Sequence, residues 1–182
     1  STSYVSFRRY NISNNSWHDG SVKELIHGEY VDSKTYGIEQ PWQKFDPRNN
    51  RLFVSCMFWS SSSPKNTFGA MPFLYSDDEG ETWKLVNGST VTTPIYASDC
   101  LDDRTIAPHN HYNEGVVVGT GWFPMDLGET PDGKFYLFDR SGNWTYTGDD
   151  QTSKRWPYYW YWKNNQWNYV NLTPEGMSHR AY

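Results

Sequence analysis

Ser76-Asp77-Asp78-Glu79-Gly80-Glu81-Thr82-Trp83 is the stretch on which the fold of this chain turns. Ser76 and Asp78 carry short polar side chains that hydrogen-bond backbone N–H groups within a tight turn. Gly80 supplies a positive φ, a conformation in which a Cβ would clash. Phe73-Leu74-Tyr75 leads in as a strand, Thr82 and Trp83 re-enter one, and the indole covers the loop between them. The eight residues therefore read as the plug of a β-hairpin, with a structural and not a chemical task.

The same design recurs on either side of it. Tyr4–Tyr10 with Asn14-Asn15-Ser16-Trp17, and Tyr158–Trp162 with Asn164-Asn165-Gln166-Trp167, are each a strand, a short polar turn and a Trp opening the next strand. The tryptophans stand 66 residues apart (17 to 83) and then 84 apart (83 to 167), which suits four-stranded β-propeller blades with long loops. Asp46-Pro47-Arg48-Asn49-Asn50-Arg51 turns into a strand Leu52–Trp59, and Pro131-Asp132-Gly133-Lys134 turns into a strand Phe135–Arg140. Tyr158–Trp162 is aromatic at every position, as a strand sandwiched between neighbouring blades requires. Ten Trp, fourteen Tyr and nine Phe, punctuated by 14 Gly and 10 Pro, favour short strands over helices.

The pattern Ser-x-Asp-x-Gly-x-Thr-Trp resembles the Asp-box of bacterial-neuraminidase-type (BNR) repeats. That resemblance implies an all-β chain, a β-propeller of four-stranded antiparallel blades. Residues 1–30 are expected to form the outer strands of one blade, 31–96 a second blade, 97–176 a third, and 177–182 the start of another. About two and a half blades cannot close a ring, so the remaining blades, of the same or another chain, are expected partners.

The turn is followed by Leu85-Val86-Asn87-Gly88-Ser89-Thr90-Val91-Thr92-Thr93-Pro94-Ile95, and this combination is similar to the propeller-type polysaccharide lyases acting on ulvan-like or rhamnose–glucuronate polymers. The segments Asp132–Gly142 and Arg155-Trp156-Pro157-Tyr158-Tyr159 look like the blade in which such lyases aim an arginine at the uronate. The resemblance implies β-elimination, which needs a cation on the carboxylate, a base for the C5 proton and an acid for the departing O4. Arg140 and Arg104 suit the first task, because guanidinium is always charged and grips a carboxylate with two donors. His109, His111 and Tyr112 suit the other two. Extended backbone would place His109 and His111 on one face, an arrangement that also leaves metal ligation by a divalent ion (Ca or Zn) open, although no cofactor is required. Those lyases carry a Tyr upstream of the arginine where this chain has Trp122-Phe123-Pro124, so either Tyr112 takes its place or the catalytic blade lies elsewhere.

Alternatives are a non-catalytic, lectin-like propeller with Trp122, Phe123 and Trp144 as stacking platforms, and a sialidase-like hydrolase, whose Arg-Ile-Pro signature is absent. A net charge of −5 with no basic stripe argues against nucleic acid. No apolar run reaches transmembrane length, so no membrane partner is expected. Sequons at Asn11, Asn14, Asn87, Asn143 and Asn171, in a chain that starts at Ser1, suggest a secreted glycoprotein. Cys56 and Cys100 form either one disulfide or, with Cys56 in the apolar run Phe53–Trp59, buried thiols. His18 and His27 are read as surface residues.

Overall fold

The computed structural model describes residues 3–17, 22–31, 34–60, 71–102, 111–113, 116–118, 124–143 and 154–172. In chain order they form β1 (Tyr4–Phe7), β2 (Tyr10–Asn11), β3 (Ser16–Trp17), β4 (Lys23–His27), β5 (Glu29–Val31), β6 (Lys34–Asp46), β7 (Arg51–Ser60), β8 (Phe73–Ser76), β9 (Ile95–Tyr96), α1 (Ala97–Asp102), β10 (His111–Asn113), β11 (Val116–Val118), β12 (Pro124–Glu129), β13 (Phe135–Asn143), β14 (Lys154–Lys163) and β15 (Gln166–Asn171). β5-β6-β7-β8 and β12-β13-β14-β15 are four-stranded antiparallel sheets in sequence order, the up-and-down form of a propeller blade. The chain is a partial propeller, and its all-β class is as expected. The one departure among the described residues is the single turn and a half of α1.

Why β7 and β8 are apolar at consecutive positions follows from what flanks them. Val54, Cys56, Phe58 and Leu74 join Leu25 and Ile26 of β4 in one core, together with Trp83 and Ile95. Phe53, Phe73 and Tyr75 point the other way and join Leu127, Leu137, Tyr158, Trp160 and Trp167 of the next blade. A sheet covered on both faces cannot alternate apolar and polar. Ring packing holds the second core: Phe73 meets Phe135 at 5.7 Å and Trp167 at 5.5 Å, both edge-on. On β14 the expectation of two covered faces holds for one only: Tyr158 and Trp160 are buried, whereas Tyr159 and Tyr161 are half-buried. Cys56 and Cys100 are both buried in the first core, and no disulfide joins them.

The turn at Ser76–Trp83 has the bonding its sequence dictates. Gly80 N donates to Ser76 Oγ at 2.8 Å, and Thr82 N and Oγ1 donate to the two Asp78 carboxylate oxygens at 2.8 and 2.6 Å. Gly80 sits at φ +88°, and a Cβ built there would lie 2.2 Å from Phe7 Cε1. Phe7 in turn packs edge-on against the Trp83 indole at 5.6 Å. The glycine thus seats the β1 hairpin in the turn. Beyond Trp83 the returning strand is reduced to single bridges from Lys84 to Tyr75 and Thr90. His27 is half-buried between Tyr4 and Tyr96 and is not a bare surface residue.

Candidate functional site

One end of the two sheets gathers their charged turns. β6 runs down to the Asp46–Arg51 turn, Leu52 pairs Ser76, and Glu129 before the β12–β13 turn reaches Arg51. Lys163 and Gln166, flanking Asn164 and Asn165, close the same end of the second blade. All these turns therefore lie together, and this end is dense with paired charge. Arg51 Nε donates to Asp77 Oδ1 at 2.6 Å, its Nη1 donates to Glu129 Oε2, and its guanidinium lies 4.7 Å from the Tyr75 ring centroid. Lys84 Nζ donates to the other Asp77 oxygen at 2.8 Å. Burial alone would push Asp77 up, but the Lys84 and Arg51 hydrogen bonds outweigh it and lower its pKa. Asp46 is lowered to about 2 by the Arg48 side chain and backbone N–H that hold it.

A second polar group sits at the inner strands. Lys44 Nζ donates to Asp126 Oδ1 and to Tyr136 Oη, both at 2.8 Å, and Tyr136 Oη donates to Asp126 Oδ2 at 2.9 Å. Burial raises the Tyr136 pKa, Lys44 lowers it and Asp126 raises it again, with a net rise. Each donor in this triangle has its acceptor, and Tyr136 stays a phenol. Nothing in the sequence flags it, because Lys44 lies 82 and 92 residues from its two partners in the chain.

The strand that holds Arg140 runs from the charged-turn end toward the other. Arg140 is the sixth residue of β13, about 17 Å along the strand from Phe135, and pairs in register with Pro157. β10 brings His111 and Tyr112 opposite Val118 and Val117 of β11. β11 lies against β13. The strands of the hairpin that holds His111 and Tyr112 and the strand that holds Arg140 are thus neighbours in the backbone. Arg104, His109, Trp122, Phe123 and Trp144 lie outside the described residues. No group of three His, Cys, Asp or Glu side chains among the described residues is placed to hold a metal ion. A groove of about 400 Å³ between β1 and β6, walled by Val5, Phe7, Leu25, Ile38, Pro41 and Trp42, is mainly apolar and unsuited to an anion.

Solved structures share this fold. One described as a new family of polysaccharide lyase, PL25 ulvan lyase, superposes with a TM-score of 0.66 at 10% identity. Another of the same description, bound to -[GlcA(1-4)Rha3S]-, gives 0.67 at 10% identity. Each match covers 95% of this chain and 39% of the other. The chain therefore has the fold of a propeller-type polysaccharide lyase over well under half of the neighbours' length. No family model matches the sequence, and no curated protein does.

Proposed function

We propose that this chain is part of a secreted polysaccharide lyase that cleaves an acidic, uronate-containing glycan by β-elimination. The observation that carries the proposal is the fold shared over 95% of the chain with ulvan lyase, one structure of which holds -[GlcA(1-4)Rha3S]-. Its local support is the placement of β10–β11 beside β13. Arg140 and Arg104 neutralise the uronate carboxylate, which makes the C5 proton acidic. A histidine, His109 or His111, takes that proton. The C5–H electrons become the C4–C5 double bond, the C4–O4 bond breaks, and O4 leaves with a proton from Tyr112. Trp122, Phe123 and Trp144 supply stacking surface for the sugar rings. These tasks are met by side chains without a cofactor. The Ser76–Trp83 turn is a BNR-type Asp-box, the remaining blades complete the ring, and the sequons carry glycans on the secreted protein.

The test is incubation of the full-length protein with uronate polysaccharides while the absorbance of unsaturated uronate is followed. A rise that vanishes in His109→Ala and His111→Ala supports the lyase with this cluster at its centre. Binding without a rise points to a lectin-like module, and release of acidic sugar without unsaturation points to a hydrolase.

A further inference from the structure

The β2–β3 hairpin carries an aromatic pair that the fold does not bury. Tyr10 and Trp17 are opposed in register and so share a face, and their rings meet edge-on at 5.1 Å. Tyr10 is 45% exposed and Trp17 50%. Arg8, itself exposed, lays its guanidinium over the indole, with Cζ 5.1 Å from the ring centroid. The hairpin is braced from within: Ser13 N and Oγ donate to Asn11 Oδ1 at 2.9 and 2.7 Å, Ser16 Oγ donates to Asn14 Oδ1 at 2.7 Å, and Tyr10 Oη donates to Asn15 Oδ1. At its base Arg9 pairs with Glu79 and Glu81 of the Ser76–Trp83 turn, and Phe7 packs on Trp83. The rings and Arg8 are therefore presented on an anchored support, which lowers the ordering cost to a ligand.

Arg8 differs from the other cations that lie over rings. Arg51 covers Tyr75 and Phe135 but is paired with Asp77 and Glu129, and Lys44 covers Tyr136 but is paired with Asp126. Among the described residues, Arg8 is the one cation that covers a ring and has no carboxylate partner. A stacked guanidinium keeps the N–H donors at its edge free, and these grip a carboxylate or a sulfate with two bonds. The open side of the indole offers a flat apolar surface on which a sugar ring rests. Cation and rings together match a sugar that carries an anionic group. A neutral sugar would leave the guanidinium idle, and a small inorganic anion would leave the rings bare.

We infer that Arg8, Trp17 and Tyr10 form a binding site for an acidic sugar residue of a polysaccharide chain. The ligand class rests on the acidic-glycan function proposed above. The site holds the polymer and takes no part in its elimination.

The experiment measures binding of the full-length protein to polygalacturonate, dextran sulfate and neutral dextran across a salt series, and follows unsaturated uronate in parallel. Polygalacturonate supplies carboxylates and dextran sulfate supplies sulfates, so the pair names the group that Arg8 grips. Arg8→Gln weakens binding of the preferred polymer about tenfold, the loss of one charge-assisted contact, and flattens its salt dependence. Trp17→Ala weakens it up to about tenfold and leaves the salt dependence in place. Arg8→Lys keeps the salt dependence but loses affinity, because an ammonium cannot grip with two donors in one plane. On a uronate polymer that is cleaved, these variants raise KM and leave kcat unchanged. Should Trp17→Ala melt early, Arg8→Gln carries the comparison, since it leaves both rings in place. Unchanged affinity in Arg8→Gln, or wild-type binding of neutral dextran as tight as of the charged polymers, overturns the site and leaves the lyase standing. Charged polymer held through Arg8 and Trp17 without any unsaturation upholds the site and overturns the lyase.

Discussion

Arg51 Nη1 donates to Glu129 Oε2 across the junction between the two four-stranded sheets, so that one guanidinium on β7 holds the end of β12. The same group reaches Asp77 through Nε and lies over Tyr75 and Phe135. Two carboxylates and two rings converge on one cation that is only 19% exposed.

Removing that cation should cost more than a surface ion pair does. In Arg51→Met, Asp77 keeps Lys84, but Glu129, 14% exposed, keeps only its bond from the Asn49 amide and loses its charge partner. We expect a loss of about 2–3 kcal/mol in denaturant unfolding, below the range for a fully buried pair because water reaches the site. Arg51→Lys should recover part of it, since the charge remains while the two-way grip does not. A loss under about 0.5 kcal/mol would show that the clamp adds nothing to the blade junction.

Gly80→Ala should destabilise by roughly 2 kcal/mol or more, because a positive φ and a clash with Phe7 act together. Phe7→Leu combined with Gly80→Ala should relieve the steric share and leave the backbone share. Equal melting of Gly80→Ala and the wild type would contradict the placement of Phe7.

Acid should loosen the turn end first. Burial pushes Asp78 up, but hydrogen bonds from Thr82 and Ser76 outweigh it and lower its pKa to about 2, below the ordinary carboxylate value of 3.8. A carboxylate lowered in the folded state stabilises it above the unfolded pKa and loses that contribution as the proton binds. Stability should be flat above about pH 5 and fall between about pH 4 and pH 2. Asp78→Asn should be less stable at neutral pH and show a shallower acid limb in thermal melts at stepped pH.

Tyr136→Phe should separate structure from chemistry. The substitution removes the hydroxyl that joins Lys44 to Asp126 but leaves the ion pair at 2.8 Å. The expected outcome is a loss of about 1 kcal/mol in stability with no change in elimination rate on a uronate polymer. A large fall in kcat with unchanged stability would move the catalytic centre to this triangle.

What the sequence discloses is what is local. Ser76, Asp78, Gly80 and Thr82 bond one another within seven residues, so their spacing alone specifies the turn. β7 is legible because burial on both faces writes an apolar run after a turn signal, and β13 because an apolar run follows the Pro131–Lys134 turn directly. Arg51–Glu129 and Lys44–Asp126 are not legible, since each joins residues from adjacent blades and depends on how closely the sheets approach. α1 is missed for another reason: its six residues are too few to show a helical period. The parallel pairing of β4 with β9, through Ile26 and Ile95, is likewise set by the chain's path and not by either segment. At the candidate site Arg140, His111 and Tyr112 follow from the chemistry of β-elimination, whereas the proximity of their strands depends on how β10–β11 packs against β13.

The charged turns at one end of the blades have an evolutionary reading. At one rim short turns lock cations to carboxylates, and there Arg51 ties neighbouring blades together through Asp77 and Glu129. The partners in this joint are thereby bound to change together, charge for charge, wherever the wheel is to keep its bearings.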